Sequence, residues 1–94
     1  MSTEDEIAMF RTLEHILDDA RQRADKIEDL ERQIDSAMFA GKFVLPLEHV
    51  EGIHNAKADV RDILLPIEAF FEAEGLPVPD PQWERPDWLA EARL

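Results

Sequence analysis

Glu51-Gly52-Ile53-His54 sets a carboxylate and an imidazole three residues apart. On a helix that spacing projects both side chains from one face, the arrangement by which carboxylate-bridged bundles hold paired metal ions. Asp35 and Glu31 of a neighbouring helix would complete a Glu31/Asp35/Glu51/His54 cluster, doubled across a dimer axis. Three features oppose this reading. Ile53 holds the apolar position, so Glu51 and His54 flank the seam; Gly52 loosens the turn; and a chance Glu-x-x-His is common in so acidic a chain. His15 with Asp18 and Asp19 makes a second such set and reads as a surface hydrogen bond. Nucleophilic chemistry is absent from the text. There is no Cys and no Tyr, and the only serines are Ser2 and Ser36, neither in a strand-turn-helix elbow. No glycine-rich phosphate loop occurs. We expect no enzyme and no cofactor.

The carboxylates themselves are the other chemistry. The 94 residues carry 22 Asp and Glu against 10 Lys and Arg, a formal charge of -12. Nucleic acids and anionic membranes would repel such a chain, because binding them requires cations that displace counterions. A basic protein surface would attract it. Glu4, Asp5, Glu6, Glu14, Asp18, Asp19, Asp25, Glu28 and Asp29 lie along one Gly- and Pro-free stretch. Carboxylates strung on a rigid rod can imitate a phosphate track, so Asp18, Asp19, Asp25, Glu28 and Asp29 are the expected partner-binding face. Its partner would be a nucleic-acid-binding protein, as for the small acidic inhibitors of phage anti-defence systems, an analogy at the level of class. The bland reading is a solvated face, neutralised by Arg11, Arg21, Arg23, Lys26 and Arg32 through i,i+4 pairing, with acidity serving solubility.

These acids need elements to position them. Ser2-Thr3-Glu4-Asp5-Glu6 is a helix-start signal, with Ser2 or Thr3 as the cap. Good helix formers then run unbroken to Phe39. The expectation is one helix of about 37 residues, roughly 55 Å long. Gly41 punctuates its end. After a connection over residues 41–45, Pro46 fits the first turn of a second helix running to Glu74 and stopped by Gly75. Gly52 marks a late start or a break in it, and Pro66 a bend. "LPVPDPQWERP" reads as an extended arm, and "PDWLAEARL" as a short last helix opening at Pro86 or Asp87. The division expected is a hairpin over 1–75 and an arm over 76–94. No apolar run approaches the roughly 20 residues of a membrane span. A cysteine-free chain without an apolar leader points to the cytoplasm of a bacterial or phage-infected cell.

Phe10, Leu13, Leu17, Ala20, Ala24, Ile27, Glu31, Ile34 and Met38 keep a three-four spacing, and so do Val50, Ile53, Lys57, Val60, Leu64, Ile67 and Phe71. Each is a coiled-coil type seam with one charge in it, and the charges are opposite. A short connection makes the helices antiparallel, so facing residue numbers have a constant sum. Setting Glu31 against Lys57 makes that sum 88, and the same register pairs Ala24 with Leu64, Leu17 with Phe71 and Met38 with Val50. Large then meets small, as space-filling requires. The fold class is therefore all-α, an antiparallel hairpin whose alignment the Glu31–Lys57 pair specifies. Ile7, Met9, Ile16, Leu30, Phe39, Phe43, Ile63 and Phe70 are left beside the seams. Either the arm folds back with Trp83 and Trp88 as anchors, or those tryptophans dock on a partner, or two hairpins form a homodimer or larger bundle. Three functions stay open: an acidic inhibitor or adaptor for a basic partner, a self-associating assembly module, and a ferritin-like metal-binding bundle.

Overall fold

The seam residues bury themselves pairwise, and that packing sets the architecture. A computed structural model describes residues 3–41 and 44–90 of the chain. It is an antiparallel hairpin of α1 (Thr3–Phe39) and α2 (Leu47–Ala73), followed by an irregular arm and a one-turn α3 (Asp87–Ala90), with no strand among the described residues. The capping role expected of Ser2 lies outside the described residues. Glu4, Asp5 and Glu6 occupy the first turn of α1, where carboxylates favour the positive end of the helix dipole.

Both long helices stop at a glycine in the left-handed region, Gly41 at φ 70° and Gly75 at φ 66°. A residue without a Cβ enters that region at no steric cost. At the end of α2 the pattern is complete: Gly75 N–H donates to the Glu72 carbonyl at 3.2 Å, and Leu76 N–H to the Phe71 carbonyl at 2.9 Å. Leu76 packs on the core that contains Phe71. This cap turns the chain back along the hairpin and so launches the arm.

Pro46 precedes α2 rather than opening its first turn. Its backbone is extended, φ -61° and ψ 147°, and its carbonyl accepts the N–H groups of His49 and Val50 at 3.0 and 3.2 Å. Gly52 neither delays nor breaks the helix, and α2 is also continuous through Pro66. A lone Gly costs a helix interior only about 1 kcal/mol relative to Ala, which does not interrupt a helix of 27 residues.

The core occupies one half of the hairpin. Leu17, Ala20 and Ala24 of α1, Val60, Leu64 and Phe71 of α2, and Leu89 of α3 form a single buried cluster. Trp83, Trp88, Val78 and Leu76 of the arm pack against it, and Pro86 is buried. Toward the connection the seam opens: Met38 and Val50 are each 45% exposed. The apolar rhythm is regular along both helices, but only the stretch beneath the arm has a third layer over it. The molecule measures 58 × 24 × 21 Å. No helix of the described residues is long and apolar enough to cross a membrane.

Candidate functional site

The arm lies on one side of the hairpin and is held there by polar contacts at both ends. Near its start, Arg21 is 93% buried, and its guanidinium donates to the carbonyls of Pro79 and Asp80 and lies 5.1 Å from the Trp83 ring centroid. Asp80, at φ 45°, makes the turn between them, and Trp83 N–H donates to its carbonyl at 3.2 Å. Asp is among the few residues that tolerate this region. Further along, Trp83 Nε1–H donates to Asp25 Oδ1 at 3.2 Å and Trp88 Nε1–H to Glu28 Oε1 at 2.6 Å. Arg85 pairs with Glu68 of α2. The tryptophans therefore cover the hairpin. Arg21 is not the surface counter-ion that i,i+4 reasoning expects; it is the arm's clamp. Its position between Ala20 and Ala24, where small side chains leave room for a third layer, is the sequence signal for that role.

All five acids expected on the binding face have internal contacts, of different kinds. Asp18 accepts from Gln22 Nε2 at 2.9 Å, Asp19 pairs with Arg23 at 3.0 Å and Asp29 with Arg32. Neither Asp18 nor Asp19 bonds to His15. Among the described residues, Asp25 and Glu28 accept only from indole N–H groups, which orient a carboxylate without neutralising it. At about 100° per residue, Asp18, Asp25, Glu28 and Asp29 fall on the arm's side of α1, and Asp19 falls on the far edge with Arg23. The structure gathers Asp25, Glu28 and Asp29 into one hollow of about 380 Å³, which Arg32, Arg85, Pro86 and Glu84 also line. Glu84 was not among the expected residues. It comes from the arm, and its place next to Trp83 brings it to the acids of α1. Arg32 and Arg85 are tied to Asp29 and Glu68, so the hollow keeps a net negative charge.

Glu31 and Lys57 meet across the hairpin with Nζ and Oε1 2.7 Å apart, their side chains 35% and 23% exposed. Lys57 Nζ also sits 5.6 Å from the centroid of the Trp88 ring, a cation–π distance. A pair this wet contributes modestly, and its value is in the register that it specifies. A double-mutant cycle with Glu31→Leu and Lys57→Leu is expected to give a coupling energy of about 0.5–1 kcal/mol by urea denaturation, the double variant equalling or exceeding wild type. Additivity within about 0.3 kcal/mol would remove the pairing.

The metal candidates do not assemble. Asp35 and His54 line a second hollow, of about 310 Å³, with Glu31 and Lys57, and Glu51 is not part of it. Among the described residues no group of three His, Asp or Glu converges. Ile53 occupies the seam, so His54 reaches only the edge of this hollow and Glu51, one further step round the helix, faces solvent, and the Lys57 ammonium stands in the same hollow as a like charge. Comparison of the chain with protein-family models, with curated proteins and with solved structures returned no match.

Proposed function

We propose that this chain is a small acidic binding protein, an inhibitor or adaptor that engages a basic surface of a nucleic-acid-binding protein, with carboxylates standing in for phosphates. One observation carries the reading: Asp25, Glu28, Asp29 and Glu84 surround a hollow, and two of these acids are held in place by indole donors. Preorganised carboxylates lose little entropy when a Lys or Arg side chain enters. The wider field points the same way. Glu14, Asp18 and Asp35 of α1 fall on the arm's side, and Asp87 on the arm is exposed. A basic surface built to neutralise phosphates would be steered to it.

The test uses amide substitutions, which keep each acceptor oxygen and remove the charge. In Asp25→Asn/Glu28→Gln/Asp29→Asn/Glu84→Gln the tryptophans keep their partners, so the arm stays docked and tryptophan fluorescence should be unchanged. Wild type coupled to resin at about 50 mM salt should retain nucleic-acid-binding proteins identified by mass spectrometry. The retained set should be lost at about 500 mM salt, because exposed charges are screened over a few ångström there, and lost with the quadruple variant at either salt. Equal retention by wild type and variant, or nothing retained at low salt, ends the proposal.

A further inference from the structure

Among the described residues, nothing covers the side of the hairpin turned away from the arm. Ile16, Leu30 and Ile63 are 37%, 47% and 36% exposed there. A groove of about 500 Å³ runs between the helices on this side, lined by Ile27, Leu30, Ile34, Leu45, Ile53 and Ala56, with Glu48 and His49 as its charged or titratable rim. Arg21, Asp25, Glu28 and Glu68 hold residues 79–88 of the arm on the other face. We infer that a second copy of this chain docks on this side, face to face, so that four long helices share one core.

Surface area argues for an occupant of this size. The chain exposes 7180 Å². A compact monomer of 10.8 kDa would expose roughly 5,500 Å². The surplus is on the order of 1,600 Å², and a standard interface removes about 800 Å² from each partner. The uncovered apolar positions of α1 run from Ile16 to Ile34, roughly 27 Å at 1.5 Å per residue, and form one patch with the groove beside them.

Charge argues for a second copy over a basic helix from another protein. At about 100° per residue, the uncovered side and its edges carry Asp5, Asp19, Arg23, Lys26, Glu48 and Asp59, two cations against four acids. Asp19 and Arg23 already pair with each other. In a chain of charge -12 this is the face where two copies repel each other least, and it offers a basic helix little to hold. The acids crowd onto the arm's side instead, which stays open to solvent in such a dimer. This inference rests on a different face from the proposed partner site, and either can fail alone.

The test is the mass of the purified full chain by light scattering after gel filtration, and by sedimentation equilibrium from about 1 to 200 μM. Wild type should weigh twice 10.8 kDa. Leu30→Glu and Ile16→Glu should each halve the mass, with unchanged helicity and tryptophan fluorescence, because both positions are already wet in the single chain. Phe39, 96% exposed at the hairpin tip, is the control: Phe39→Glu should stay dimeric. A monomer at 200 μM overturns the inference, as does a dimer that survives both glutamates, a dimer lost only with Phe39→Glu, or any mass other than two chains. If Leu30→Glu lowers helicity, Ile16→Glu alone decides.

Discussion

Leu64→Ala is expected to lower the stability of this protein by about 3 kcal/mol, seen as a drop in the urea midpoint with little change in slope. Leu64 is fully buried and shares one cluster with Leu17, Ala24, Phe71 and Leu89. Two of its cluster-mates, Ala20 and Ala24, are small and cannot move in to fill the space. The cost then combines lost burial with a cavity that does not collapse. A domain of this size has roughly 5–15 kcal/mol of stability in all, so the variant should be visibly compromised at 37 °C. Val50→Ala is the comparison. Val50 belongs to the same three-four rhythm but is 45% exposed, and its truncation should cost under about 1 kcal/mol. Equal losses at the two positions would mean that the seam is buried evenly, and the half-core described above would be wrong.

That contrast shows where sequence reading succeeded and where it stopped. Periodicity carried the helices and their register, because a three-four rhythm with one acid and one base admits few antiparallel alignments. The Glu31–Lys57 contact lies where the facing positions sum to 88. Periodicity could not say which part of the seam is dry. Leu17 and Met38 are equivalent positions of one pattern, yet one is fully buried and the other 45% exposed. The difference is made by residues 76–90, whose prolines erase any period and whose path is set by one cap and one buried guanidinium. For the same reason the acidic face was only half readable. Asp25, Glu28 and Asp29 could be placed on α1 from spacing, but Glu84 reaches them through tertiary packing, and no local pattern signals that. Asp19 was grouped with them by sequence proximity; it sits on the far edge because one residue is about 100° of rotation.

A chain ended at Gly75 should fail to unfold cooperatively as a monomer. The truncation removes Leu89, which is fully buried, and Trp83, Trp88, Leu76 and Val78, which pack on the same cluster. Single losses of a buried Leu or a packed Trp typically cost about 2–5 kcal/mol each. Such losses do not add simply when the residues touch, but even a discounted total approaches the whole stability of a domain this small. The hairpin left behind would expose the covered side of Leu17, Leu64 and Phe71 in addition to the bare side it already shows. Arg21 would recover water, which offsets part of the loss, since its Nε is buried without a partner. Far-UV circular dichroism against temperature and urea decides the matter: a broad, non-sigmoidal melt, or concentration-dependent aggregation, is the expected result. A sharp transition at the wild-type midpoint would make residues 1–75 an independent unit and the arm an accessory. Trp88→Ala in the full chain separates the two cases at smaller scale. It should lower stability by about 2–3 kcal/mol if the arm is part of one core, because Leu89 loses its neighbour and Lys57 loses the ring beneath it. If the arm is only resting on the hairpin, the same change should leave the midpoint where it was.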